Sequence, residues 1–166
     1  VLQIASTAVL KRCKKQLGAS ERKSVARELG VMNAPSIKER FLESLHRCER
    51  SEGFIPSFYA RLNSSSDLVK SHFRHTNFEQ QNKMLVKSLK LVAGVSCNEP
   101  EALRELRERA ESHDRQHMNI KPELYEFWQA ALLASAADVD PEWDEDVERA
   151  WNVILDSVVN HMVKLY

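Results

Sequence analysis

Apolar residues recur along this chain at three- and four-residue intervals, the period of a helix that buries one face. Ile37, Phe41, Leu45 and Cys48 make one such face. It is introduced by Ser36-Ile37-Lys38-Glu39, a capping-box pattern in which the hydroxyl accepts from the third residue's N–H and the carboxylate reaches back. Ser51 predicts the start of a second helix, with Phe54, Phe58 and Leu62 inside, and the run from Asn63 to Ser66 predicts its break. A short element from Asp67 to Phe73 follows. Thr76-Asn77-Phe78-Glu79 is a second capping box, opening a helix with Phe78, Gln81, Leu85, Ser88, Leu89 and Val92 on one side. Residues 94–100 read as a loop in which Asn98 and Glu101 form a cap-like pair. The helix after it turns Leu103, Leu106, Ala110 and His113 inward. Pro122 sits where a first helical turn tolerates proline, ahead of Leu124, Trp128, Ala131 and Leu132. Asp140-Pro141 predicts the start of the last helix, with Val147, Trp151, Ile154, Val158 and Met162 inside. The predicted class is all-α, with seven or eight helices and no strand.

Ahead of this body, Ile4, Val9, Leu10, Cys13 and Leu17 fall at roughly helical spacing among Lys11, Arg12, Lys14 and Lys15. A shorter helical piece from Ser20 to Leu29 ends at Gly30. The predicted division is an amphipathic helical extension over residues 1–35 and a main body over 36–166.

Composition narrows the picture. A chain of 166 residues suits one domain with a sizeable core. Four glycines and five prolines are too few for the turns of an all-β fold. The 24 basic and 24 acidic side chains balance, leaving no electrostatic footprint for nucleic acid or an anionic membrane. Cys13, Cys48 and Cys97 are odd in number and far apart, so they read as buried thiols of a reducing compartment. The longest mostly apolar stretch, Ala130 to Ala137, is too short to span a bilayer. The opening residues lack the layout of a secretory signal, and the expected location is cytoplasmic.

Two polar residues interrupt apolar stripes. Gln81 is in phase with Phe78 and Leu85, as Gln80 is not, and His113 is in phase with Leu106 and Ala110. Turning a polar group inward costs about 1–3 kcal/mol unless it finds a partner. Either each bonds to a backbone carbonyl or lies at the core's edge, or both face a shared cavity. In such a cavity a neutral imidazole ligates a metal and an amide donates to whatever sits opposite. His117 offers a rival pair with His113 for zinc, but no thiolates and no His-Glu-x-x-His motif accompany it.

These residues carry a resemblance. Phe58-Tyr59, followed by Phe73 fourteen residues after Tyr59, is similar to the second helix and haem-stacking Phe of bacterial globins. Phe73-x-x-Thr76-Asn77-Phe78-x-x-Gln81-x-x-x-Leu85 resembles their distal helix, and Leu106-x-x-x-Ala110-x-x-His113 their proximal helix. Asn119-Ile120-Lys121-Pro122-Glu123-Leu124-Tyr125 resembles the start of the helix after that. The ordered set covers roughly residues 36–166 and resembles single-domain bacterial haemoglobins and the haem domain of flavohaemoglobins.

The resemblance implies a globin fold around one haem b, with His113 as the protein ligand to iron. It implies that Phe73 stacks on the porphyrin, that Leu85 is the apolar wall beside the gas, and that Tyr125 lies near His113 on the proximal side. Tyr59 and Gln81 would form the distal pair, neutral donors suited to dioxygen, which takes on partial negative charge at ferrous iron. His72 and His75 flank the Phe73 corner and read as solvent-exposed; Trp128 and Trp151 read as packing.

The implied ligands are dioxygen, nitric oxide and carbon monoxide, for oxygen binding or delivery. A nitric oxide dioxygenase reaction would need an external reductase, because no Gly-x-Gly-x-x-Gly or flavin domain occurs here. A second reading is a haem-based gas sensor that signals through residues 1–35 or through a homodimer. Two departures stand out. Tyr125 follows His113 by twelve residues, two more than expected of flavohaemoglobins, which predicts a longer corner. The acidic residue those proteins carry on the last helix falls here near Met162 or Tyr166, neither acidic.

Overall fold

The computed structural model describes residues 35–73 and 78–166, and side chains over 35–73 and 80–166. The expected extension and the Thr76 capping box therefore lie outside the described residues. Residues 36–166 form one compact unit. Among the described residues there are seven α-helices and no strand: α1 (Ile37–Glu49), α2 (Phe54–Ser65), α3 (Asp67–His72), α4 (Phe78–Val92), α5 (Pro100–His113), α6 (Leu124–Val139) and α7 (Glu145–Lys164). A 3₁₀ turn, Val95–Cys97, joins α4 to α5.

The first helix starts as its sequence predicts. The Ser36 hydroxyl accepts from the Glu39 N–H at 3.2 Å, and the Glu39 carboxylate accepts from the Ser36 N–H at 2.8 Å. Replacing Ser36 by Ala should cost about 1 kcal/mol, read as a lower urea midpoint with an unchanged slope. The face this cap launches buries Phe41, Leu45 and Cys48 against α7. There Trp151, fully buried, meets Phe41 at 4.7 Å and Phe54 at 6.3 Å between ring centroids. All five residues predicted inward on α7 are buried. Small residues let α2 and α6 come close: the Ser135 hydroxyl of α6 reaches Ser57 of α2 at 3.3 Å, and Ala131 and Ala136 of α6 are buried.

Several predicted boundaries move, each for a local reason. Helix α2 begins at Phe54 behind Gly53, and Ser51 instead sits in the turn before it, accepting from the Gly53 N–H at 3.3 Å. The helix continues through Asn63 and Ser64 to Ser65, so the break shrinks to Ser66, whose hydroxyl caps α3 by accepting from the Leu68 N–H. Helix α5 is capped at Glu99, with Pro100 inside its first turn; Asn98 adopts a left-handed φ of 55° and makes no cap with Glu101. A residue before proline is driven out of helical geometry, which makes Glu99 the boundary. Helix α6 starts at Leu124, two residues beyond Pro122, after a turn in which the Lys121 carbonyl accepts from the Leu124 N–H.

The largest shift is in the last helix. It starts at Glu145, where the Asp144 carboxylate accepts from the Val147 N–H at 2.8 Å. Asp140 is drawn away from capping because it is committed elsewhere. Its carboxylate takes the Arg47 guanidinium through two hydrogen bonds of 2.5 and 2.9 Å and the Ser44 hydroxyl at 2.5 Å. Ser44 in turn accepts from the Trp151 indole at 2.9 Å. The cysteines also split: Cys48 is buried, whereas Cys97 is exposed on the 3₁₀ turn, contrary to the expectation that all are buried. Burial pushes the Cys48 thiol up to about 12, so it stays protonated.

Candidate functional site

A cavity of about 240 Å³ opens between α2, α4, α5 and α6. Tyr59, Phe73, Gln81, Leu85, His113 and Tyr125 all line it. These are the six residues singled out in the sequence, and they come from elements spread over 67 positions, from 59 to 125. The rest of the wall is mostly apolar, built from side chains such as Leu62, Val69, Leu106 and Val158.

His113 is the last residue of α5, and its ring is held from behind. Nδ1 lies 2.8 Å from the Arg109 carbonyl oxygen, which can only accept, so Nδ1 carries the proton. The Ser112 hydroxyl donates to the same carbonyl at 2.8 Å and stands 2.9 Å from Nδ1, where it accepts a share of that N–H. Nε2 therefore keeps its lone pair, and it has no hydrogen-bond partner among the described residues. Burial lowers the His113 pKa; the bond to the Arg109 carbonyl offsets part of this, and the Arg109 charge adds to it. The result is a neutral imidazole with one fixed tautomer at a cavity wall.

The chain after His113 is tied back onto the end of α5. The Ile120 N–H donates to the His113 carbonyl at 2.9 Å and the Met118 N–H to the Ser112 carbonyl at 3.2 Å, while Asn119 turns through a left-handed φ of 49°. These bonds satisfy helix-end carbonyls that would otherwise be orphaned, and they give the longer corner a defined path. His117 is turned away: it is exposed, with Nδ1 2.7 Å from the Asp114 carboxylate.

On the opposite wall, Tyr59 is 7% exposed, its ring edge-on to Phe58 at 4.8 Å and to Phe73 at 5.9 Å. Burial pushes its hydroxyl up to about 12, so the phenol remains a neutral donor at any physiological pH. Gln81 and Leu85 are half-buried on the inner side of α4, while Gln80 is exposed. Tyr125 is 8% exposed; burial first, then the neighbouring Tyr166, raise its hydroxyl to about 12.

Sequence reasoning missed part of the wall. His72 lines the cavity although it is exposed as expected, and Trp128, read as packing alone, borders it too. Met84 and Met118 stand at its mouth. The residue pattern did hold a signal for Met84, which lies between the inward positions Gln81 and Leu85. Met118 sits in an irregular corner, where no period exists to read.

A helical shell around an apolar cavity with one backbone-anchored imidazole narrows the field to few families, and the sequence decides among them. The globin family model matches residues 58–162. The chain belongs to the globin family. A crystal structure of protein PA3967 from Pseudomonas aeruginosa PAO1, described as structurally highly homologous to a human haemoglobin, superposes with a TM-score of 0.75 at 27% identity. The match covers 79% of this chain and 98% of that one. No curated protein matches it by sequence. Membership supports haem-based binding of small gases in general terms. Among the described residues of this globin, no helix is long and apolar enough to cross a membrane.

The cavity suits such a group. Its lining is mostly apolar, it opens to solvent on one side, and the His113 imidazole in its wall has an Nε2 with no hydrogen-bond partner among the described residues. Among the described residues, no cluster of three or more His, Cys, Asp or Glu side chains offers an alternative metal centre.

Proposed function

We propose that this globin holds one haem b through His113 and binds dioxygen reversibly, with nitric oxide and carbon monoxide as further ligands. The observation that carries this reading is the fixed tautomer of His113: Nδ1 is bonded to the helix backbone, and Nε2 is left for the cavity. When bound, haem supplies a ferrous iron with a coordination position for a small gas.

The chain's own residues do the rest. The Arg109 carbonyl and Ser112 hydroxyl orient His113 and raise its basicity as a ligand. Phe73 and Leu85 wall the cavity with apolar surface and exclude water. Tyr59 and Gln81 present neutral N–H and O–H donors, which stabilise a gas that gathers negative charge without delivering an acid. A hydrogen bond of this kind contributes about 1.5–3 kcal/mol. Tyr59→Phe and Gln81→Leu should therefore each speed dioxygen release roughly ten- to a hundredfold, measured by stopped-flow displacement with carbon monoxide. If both rates match the unmodified protein, this distal pair is wrongly assigned. Oxidation of nitric oxide would use the same two donors and an electron source outside this chain. The division at residue 35/36 and a cytoplasmic location belong to the same reading.

A further inference from the structure

Four methionines occur in the chain, and three of them line the cavity: Met84, Met118 and Met162. Their settings differ sharply. Met162 is 6% exposed and packs in a cluster with Val92, Leu106, Ala110, Tyr125 and Val158, whereas Met84 is 41% exposed and Met118 55%. Met84 stands on α4 between Gln81 and Leu85. Met118 stands in the corner after α5, its N–H bonded to the Ser112 carbonyl one residue from His113. The two exposed thioethers thus reach the mouth from different walls of the same cavity. Exposure alone is ordinary, since Leu68 and Leu165 are as open, but Met84 and Met118 also line the cavity, where a flexible thioether can cover an apolar group inside.

We propose that Met84 and Met118 form a peroxide-sensitive lip, a modification site at which oxidation loosens the cavity's hold on an apolar occupant. The oxidant is a hydroperoxide such as hydrogen peroxide. A sulfur lone pair attacks one peroxide oxygen, the O–O bond breaks, and that oxygen stays on sulfur as the sulfoxide. The proton of the transferred oxygen passes to the departing one, which leaves as water from hydrogen peroxide or as an alcohol from an organic hydroperoxide, so sulfur loses the two electrons that the peroxide gains. Each sulfoxide replaces a flexible apolar group with a polar, chiral one, and the mouth then favours water over a covered ring. The change is reversible by methionine sulfoxide reductases, so the lip can be reset. Met162, at 6% exposure, meets bulk oxidant far less often than the other two.

For its occupant the proposal rests on the haem reading above, but its test does not need haem. The full haem-free chain is treated with hydrogen peroxide and sampled over time by peptide mass spectrometry. Sulfoxide is expected at Met84 and Met118 at least about tenfold faster than at Met162. The treated chain is then titrated with anilinonaphthalenesulfonate, an anionic dye whose aromatic rings seek apolar sites, and its affinity should fall about three- to tenfold, the scale of one or two apolar contacts turned polar. Reductase treatment should restore it. The Met84→Leu, Met118→Leu double variant keeps the apolar mouth and should bind the dye equally well before and after peroxide. The proposal is overturned if Met162 reacts as fast as the other two, or if the dye affinity is unchanged by their oxidation. It is equally overturned if the double variant responds like the parent, which would place the effect elsewhere, for instance at exposed Cys97. Failure to bind haem would count against the functional reading while leaving each of these readouts intact.

Discussion

Asp140→Ala is expected to lower the stability of the folded chain by about 3–5 kcal/mol, the cost of leaving one member of a buried ion pair without its partner. The Asp140 side chain is fully buried and gathers four donors: two from Arg47, one from Ser44 and the Glu142 backbone N–H at 3.0 Å. Its loss leaves a guanidinium that is only 20% exposed facing a hole, and it frees the Ser44 hydroxyl that positions Trp151. Since whole domains are stable by only about 5–15 kcal/mol, this single change removes at least about a fifth of the total. Glu142, also an Arg47 partner at 3.2 Å, is 72% exposed; Glu142→Ala should shift stability by no more than about 0.5 kcal/mol. Urea unfolding of the two variants separates the cases.

The same carboxylate sets an acid limit. Burial alone would raise the Asp140 pKa, but hydrogen bonds from Arg47, Ser44 and the Glu142 backbone outweigh it and hold the value below 3.8. A folded-state pKa below the unfolded one means the stabilisation is fully present above about pH 4 and is lost as pH falls through the folded value. Between pH 7 and pH 5 this group should contribute no pH dependence. Below pH 4 the parent should lose stability faster than Asp140→Ala, which no longer has that proton to take up.

The second large effect concerns His113. His113→Ala should weaken haem binding by at least about a hundredfold, since even changes behind a metal ligand cost ten- to a hundredfold. His113→Gly leaves the same space open, and millimolar imidazole should restore much of the parent's absorption spectrum. Rescue by free imidazole distinguishes a lost ligand from a damaged fold, as does an unchanged urea midpoint. Ser112→Ala should have a smaller effect, because the Arg109 carbonyl still holds Nδ1 at 2.8 Å.

Much of the cavity wall was legible in sequence because its residues sit on long helices, where inward positions repeat. Gln81 and His113 stood out as polar residues on apolar stripes, and both line the cavity. The Ser36 cap was legible for the same reason: all its atoms belong to four consecutive residues. Asp140-Pro141 is a local signal for a helix start, yet the Arg47 that claims Asp140 lies 93 positions away and leaves no local trace. Ser44, fully buried on an otherwise apolar face, belongs to the same long-range network. The corner from Asp114 to Glu123 was legible only in its length. Its path depends on backbone bonds from Met118 and Ile120 to carbonyls of α5, which side-chain identity does not encode. Exposure of Cys97 followed from a 3₁₀ turn that no periodicity announces.

The most direct measurement is the visible spectrum of the purified chain after haem addition and gel filtration, reduced, with and without carbon monoxide. An imidazole nitrogen at the cavity wall predicts an intense Soret band that co-elutes with the protein and moves when carbon monoxide is admitted. A protein that emerges colourless, or a band that is the same in His113→Ala, would contradict the account.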